Sequence, residues 1–208
     1  MKTILFLPKI FIFLFLASNI LFAKNDLAIL KHGDIIFQTS LSSQSKAIQI
    51  ATNSPYSHCG VIFIIDDKMY VFEAVEPVKL TPIKEWIKRG KDGHFVVKRV
   101  KNADTILTKE VLEKMDKIQD EFLGKHYDLV FSWSDKEIYC SELIYKLFFN
   151  ATNIEVGKLQ KLRDFDLSND IVKAKLKERY GKNIPLDETV VSPKAIFESE
   201  LLEVILQN

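Results

Sequence analysis

Two apolar runs of strand length, residues 58–65 and 69–75, are separated by Asp66-Asp67-Lys68, and this block constrains the fold more than any other stretch of the 208-residue chain. Asp favours turns and tolerates positive φ, so the block reads as an antiparallel hairpin. A loop at Asp66-Asp67 would pair Ile65 with Lys68 and set Glu73 opposite Gly60, on the same face as His58. Carboxylate and imidazole are then diagonal neighbours, roughly 7–8 Å apart at the backbone and within side-chain reach. One more loop residue would turn Glu73 to the opposite face, so the pairing depends on register. Alternation also separates His58, Gly60, Ile62 and Ile64 from Cys59, Val61, Phe63 and Ile65.

The flanking segments make this an α+β chain. Gly33-Asp34 feeds a short strand at Ile35-Ile36-Phe37, residues 43–52 have helical apolar spacing, and Asn53-Ser54-Pro55 breaks that helix. Residues 95–100 read as a third strand of the same sheet. Thr108 caps a long helix whose Val111, Leu112, Met115, Ile118 and Phe122 share one face, with Gly124 closing it. A second apolar helix runs from about Cys140 to Phe149, with Leu143, Ile144, Leu147 and Phe148 directed inward. Ser168 and the Ser192-Pro193 pair have the character of N-caps. No repeat or linker divides residues 24–208, which are expected to form one domain.

Residues 1–23 have the layout of a secretory signal peptide: Lys2 and Lys9, an apolar run, then small residues ending at Ala23. Pro8-Lys9 interrupts the early apolar stretch, and residues 10–23 are too few to cross a bilayer comfortably. Cleavage after Ala23 would leave a periplasmic or secreted protein with no stable membrane anchor. The remaining chain carries 27 basic and 28 acidic residues, which argues for neither nucleic acid nor an anionic membrane surface as partner.

Only two cysteines occur, Cys59 and Cys140. In an exported protein the ordinary expectation is that they pair. Against it stands the position of Cys140 in the first turn of a helix, where unpaired N–H groups and the dipole stabilise a thiolate. His58, opening a strand, is the candidate base, and Glu73 the candidate third group. If His58 faces Cys140, alternation turns Cys59 away from both, leaving two free thiols and a small buried Cys59. His32, His94 and His126 are rival bases, His126 in a charged loop that reads as solvent-facing. Trp86 and Trp133 read as packing residues, with substrate platforms as the alternative. No CxxC or HxxxH spacing suggests a metal, and no cofactor is implied.

The ordered motifs Ser54-Pro55-Tyr56-Ser57-His58-Cys59-Gly60, Phe72-Glu73-Ala74, Gly124-Lys125-His126-Tyr127-Asp128 and Tyr139-Cys140-Ser141-Glu142-Leu143 resemble the YiiX/YebB-like branch of the NlpC-type cysteine hydrolases. The resemblance implies a circularly permuted papain-like fold, with an antiparallel sheet against the Cys-bearing helix and the His-bearing strands first in the chain. It implies Cys140 as nucleophile, His58 as base and then acid, and Glu73 as the polar third residue. Tyr56 and Ser57 would line the cleft or supply an oxyanion donor, with Tyr56 equally readable as a core aromatic, and Tyr127 with Asp128 would brace the site. The implied reaction is cleavage of an amide, in cell-wall peptide or related envelope material, through a thioester. The alternatives are a lipid or ester acyl hydrolase or acyltransferase on the same residues, with an apolar patch expected near Phe148-Phe149 or Trp133, and a non-catalytic binding module. The oligomeric state is not legible in the sequence.

Overall fold

The computed structural model describes residues 27–208. The expected leader, 1–23, lies outside them. Leu27–Ile29 form a 3-10 turn, and the body that carries the site begins at Lys31.

The strands of the body are β1 (Ile35–Gln38), β2 (His58–Ile65), β3 (Lys68–Glu73), β4 (Lys79–Pro82), β5 (Val96–Val100), β6 (Gln160–Lys161), β7 (Thr189–Val190) and β8 (Leu202–Gln207). Six of them form an antiparallel sheet in the order β4-β3-β2-β1-β5-β8, and β6 pairs with β7 separately. The hairpin turns on Asp66 and Asp67, both with positive φ (48° and 58°), so Ile65 pairs with Lys68 and Val61 with Phe72. The next step of that register sets Glu73 opposite Gly60, and the longer loop is excluded. A Cβ on Gly60 would overlap Val71 Cγ1 and lie 2.8 Å from the Phe72 carbonyl oxygen, so β2 and β3 approach here as only glycine permits. β5 belongs to the same sheet but lies beyond β1. The bidentate pair from Arg99 Nε and Nη2 to the Asp34 carboxylate, at 2.6 and 2.7 Å, clamps it to the start of β1.

The helices are α1 (Ser45–Thr52), α2 (Ile83–Arg89), α3 (Ala103–Ile106), α4 (Lys109–Phe122), α5 (Cys140–Thr152), α6 (Asp170–Tyr180) and α7 (Pro193–Phe197). Thr108 accepts the Val111 N–H and starts α4, whose Met115 and Phe122 are buried. In α5 the inward set Leu143, Ile144, Leu147 and Phe148 is fully buried. Both helices cover the sheet face that presents Phe37, Cys59, Val61, Phe63 and Phe72. α2 lies on the opposite face, where Trp86 is fully buried near Glu73. The cap of α6 falls one residue later than expected: Asn169 accepts the Ile171 N–H at 2.9 Å, while Ser168 bonds the Asp166 carboxylate. Ser192 caps α7 by accepting from Ala195, with Pro193 in the first helical position.

α1 and α6 meet over a small second core of Ala47, Leu162, Val172 and Leu176. This unit stands beside the tip of α5 and forms one wall of the site. No helix among the described residues is long and apolar enough to cross a membrane.

Candidate active site

Cys140 is the first residue of α5, and three anchors hold that helix tip in place. The Tyr139 N–H donates to Glu142 Oε2 at 3.4 Å, and Glu142 is paired with Lys146 at 2.8 Å. Lys146 also reaches Asp135 and the Ser134 carbonyl, which pins the loop leading into the helix. On the other side, Ser141 Oγ donates to the Val191 carbonyl at 2.8 Å, and the Val191 N–H donates to the Tyr139 hydroxyl at 3.1 Å.

His58 opens β2 with its Nε2 2.5 Å from Glu73 Oε2. Glu73 is fully buried, and it also accepts from Thr81 Oγ1 at 2.6 Å, from Trp86 Nε1 at 2.9 Å and from the Arg89 guanidinium. Trp86 stacks on the imidazole, with centroids 6.0 Å apart and 27° between planes. His58 also interacts with Cys140, and each shifts the other's titration. With Nε2 on the carboxylate, Nδ1 is the ring nitrogen left for the sulfur. Sulfur, imidazole and carboxylate are thus brought together by a hairpin and a helix distant from it in sequence.

The electrostatics follow from this wiring. Burial alone would lower the His58 pKa, but its bonds to Cys140 and Glu73 outweigh that and raise it to about 9. Burial pushes the Glu73 carboxyl up, and the bond and charge of His58, with Thr81 and Arg89, bring it down to about 2. The Cys140 thiol lies well below its ordinary range. The hydrogen bond from Cys59 is the largest cause, and the bond and charge of His58 add to it against burial. A thiolate beside an imidazolium is the form this arrangement favours.

Cys59 corrects the sequence expectation. It is buried and free, as is Cys140, but it does not face away from the nucleophile. Its side chain and backbone both interact with Cys140 and lower the pKa of the nucleophile. Alternation itself holds, since Cys59 points to the α5 face and His58 to the Glu73 face. The tip of α5 lies over the start of β2, so two consecutive residues reach one sulfur.

The other expected site residues divide. Tyr56 does not line the crevice: it is buried against Phe197 and Phe37, with centroids 4.3 and 6.1 Å away, and stacks on His94. Ser57 does border the crevice, but its hydroxyl is engaged with Ser45 Oγ at 2.6 Å and the Ser40 N–H at 2.9 Å. Tyr127 stands beside the nucleophile, its hydroxyl accepting from Gln44 Nε2 at 2.9 Å. Burial, then the charge on Cys140, pushes the Tyr127 pKa well above its ordinary value. Asp128 is buried and braces its loop by accepting from Val130 N and Ser132 Oγ.

The rival histidines are engaged elsewhere. His32 packs on Phe63 and approaches Asp116, His94 meets the carbonyl of Asn208, and His126 is exposed on Glu76. Trp133 packs on Tyr145 and under Lys146. Thr81, Trp86, Arg89, Gln44 and Arg179 are the site residues that sequence reasoning missed as contacts.

Two hollows flank the sulfur and imidazole. One is an apolar cavity of about 110 Å³ between α1, α6 and the α5 tip, bordered by Cys140, Ala47, Ile48, Val172 and Leu176. The other is a polar crevice of about 850 Å³ bordered by His58, Arg89, Glu76, Lys175 and Glu178. Gln44, Tyr127, Lys175 and Arg179 border both.

Residues 29–206 match the family model of the permuted papain-like amidases, YaeF/YiiX, C92 family. The chain is 55% identical over 176 residues to the uncharacterized protein YiiX of Escherichia coli strain K12, covering 85% of this chain and 86% of the relative. It is also similar to a crystal structure described as metalloprotein YiiX from Escherichia coli O157:H7, with a TM-score of 0.82, 54% identity, and coverage of 86% of this chain and 97% of that one. Among the described residues of this chain, no group of three or more His, Cys, Asp or Glu converges to hold an ion. The fold, the chain order of its His-bearing strands and Cys-bearing helix, and these likenesses agree: the chain belongs to the YaeF/YiiX (C92) family of permuted papain-like amidases, which are cysteine hydrolases in type.

Proposed function

We propose that the protein is an exported amidase in which Cys140 is the nucleophile, His58 the base and then the acid, and Glu73 the group that orients and stabilises the imidazolium. The observation that carries this reading is the His58–Glu73 hydrogen bond of 2.5 Å on a histidine coupled to Cys140 at the tip of α5. The thiolate attacks the amide carbonyl carbon, and the carbonyl oxygen becomes an oxyanion. Cys140 N–H, free of an intrahelical acceptor at the helix start, is the first donor to it. The second is the Tyr127 hydroxyl. Its oxygen already accepts from Gln44, so its own proton is available to the space beside the sulfur. His58 then protonates the leaving nitrogen, the C–N bond breaks, and a thioester remains on Cys140. Water, deprotonated by His58, cleaves the thioester and restores the thiolate. Export by the leader expected at 1–23 would deliver this chemistry to the periplasm or outside the cell, beside peptide amides of the cell envelope.

A second reading is favoured by the apolar cavity that borders Cys140. It suits a substrate with an apolar acyl group, and the same residues then serve ester or lipid acyl hydrolysis or transfer. Leu129 and Val130, both exposed, border the crevice and supply the apolar lip this reading needs. Phe148 does not, being fully buried, while Phe149 is 40% exposed.

Incubating the protein with muropeptides, N-acyl amino acids, acyl esters and phospholipids, with products read by mass spectrometry, separates the readings. Amide cleavage is expected from the wild type and not from Cys140→Ala. Turnover confined to esters or phospholipids would establish the acyl reading in place of the amidase one.

A further inference from the structure

Besides His58, three cationic side chains border the polar crevice: Arg89, Lys175 and Arg179. Two are neutralised. Arg89 is paired with Glu73, and Lys175 with Glu178 at 2.7 Å. Glu76 is likewise occupied, accepting from His126 at 2.8 Å and from the Tyr127 N–H at 2.9 Å. Arg179, at the end of α6, is different. Its Nη2 donates to the neutral Gln44 Oε1, and its guanidinium lies over the Phe131 ring at 4.6 Å. Its Nη1 is buried and has no hydrogen-bond partner among the described residues, and no carboxylate there lies within ion-pairing distance of it. A half-buried guanidinium with an idle N–H edge and no ion-pair partner among the described residues is energetically unfavourable by itself, and a bound anion would remove the penalty.

Its location says where that anion would lie. Arg179 borders both hollows, the apolar one that holds Cys140 and the polar one that holds His58. We infer that Arg179 is a carboxylate-binding residue, and that the amides cleaved here are N-acylated amino acids or peptides with a carboxylate on the leaving-amine side, close to the scissile bond. The inference rests on the amidase reading above and adds to it the substrate class. The acyl group enters the apolar cavity, the scissile carbonyl lies at Cys140, and the carboxylate meets the planar N–H edge of Arg179, whose fork suits a carboxylate as an ammonium does not. In the reaction the C–N bond breaks, sulfur takes the acyl group, and the amine leaves with a proton from His58. The departing product takes its carboxylate with it.

The test is binding to the full-length Cys140→Ala protein, which does not depend on turnover. N-octanoylglycine and the neutral N-octanoylglycinamide are compared by isothermal titration calorimetry. The acid is expected to bind at least about tenfold more tightly than the amide. Arg179→Gln should abolish that preference, and Arg179→Lys should retain part of it. Equal affinity for the two ligands, failure of both to bind, or a preference that survives Arg179→Gln would overturn the assignment. With the Cys140 protein, the rate of alkylation by iodoacetate relative to iodoacetamide should fall several-fold in Arg179→Gln. A Cys140 inert to both reagents would count against the hydrolase reading, while the calorimetry still decides the carboxylate subsite.

Discussion

Glu73→Gln is expected to lower kcat on the order of 10²- to 10⁴-fold with a far smaller change in KM, because Glu73 acts through His58 and does not touch the substrate. The fully buried carboxylate accepts from His58, Thr81, Trp86 and Arg89. A carboxamide there turns two N–H groups toward a site built of donors and removes the charge that holds the imidazolium. Breaking a buried ion pair on one side destabilises by about 3–5 kcal/mol. Denaturant unfolding of the variant should show a loss of that order. Glu73→Asp keeps the charge but shortens the reach, so activity should recover in part only. Near wild-type kcat in Glu73→Gln would remove Glu73 from the catalytic unit.

Cys140→Ala has the larger expected effect on rate, on the order of 10⁴- to 10⁶-fold, since the nucleophile itself is lost. The fold should persist, because Ala is well tolerated in the first turn of a helix and the anchors of that turn come from Tyr139, Ser141 and Glu142. Circular dichroism of the variant against the wild type checks this, and steady-state kinetics on the substrate found active gives the rate. Residual turnover within a factor of ten would assign the chemistry to another group.

Much of this site was legible because one local rule propagates. Asp66 and Asp67 take the left-handed φ values of a two-residue hairpin, that turn sets the register, and the register brings Glu73 to the side of His58. Cys140 at a helix start was legible in the same way, from the apolar spacing behind it. Long-range contacts were not. Thr81, Trp86 and Arg89 converge on Glu73 only because β4 and α2 fold back beside β3, and no periodicity in 79–89 announces that return. Cys59 was misplaced because alternation gives the face of a residue but not which helix end covers it. Tyr56, beside His58 in sequence, turned into the core because Phe37 and Phe197 offer it an aromatic pocket. Arg179 gave no sequence signal at all, lying in a helix with charges on nearly every turn.

The ion pair gives hydrolysis a bell-shaped pH dependence with definite signs. Activity should rise at low pH as Cys140 becomes a thiolate, and fall as pH passes about 9, where His58 loses the proton it must give to the leaving amine. The measurement that bears most directly on the catalytic unit is simpler and needs no substrate: the rate of Cys140 alkylation by iodoacetamide as a function of pH, followed by mass spectrometry of the peptides holding Cys140 and Cys59. Cys140 should stay reactive at pH values well under the ordinary thiol pKa of about 8.5, with Cys59 unlabelled in the folded protein. A Cys140 that reacts only as pH rises through that ordinary range, or no faster than Cys59, would mean that no thiolate–imidazolium pair exists.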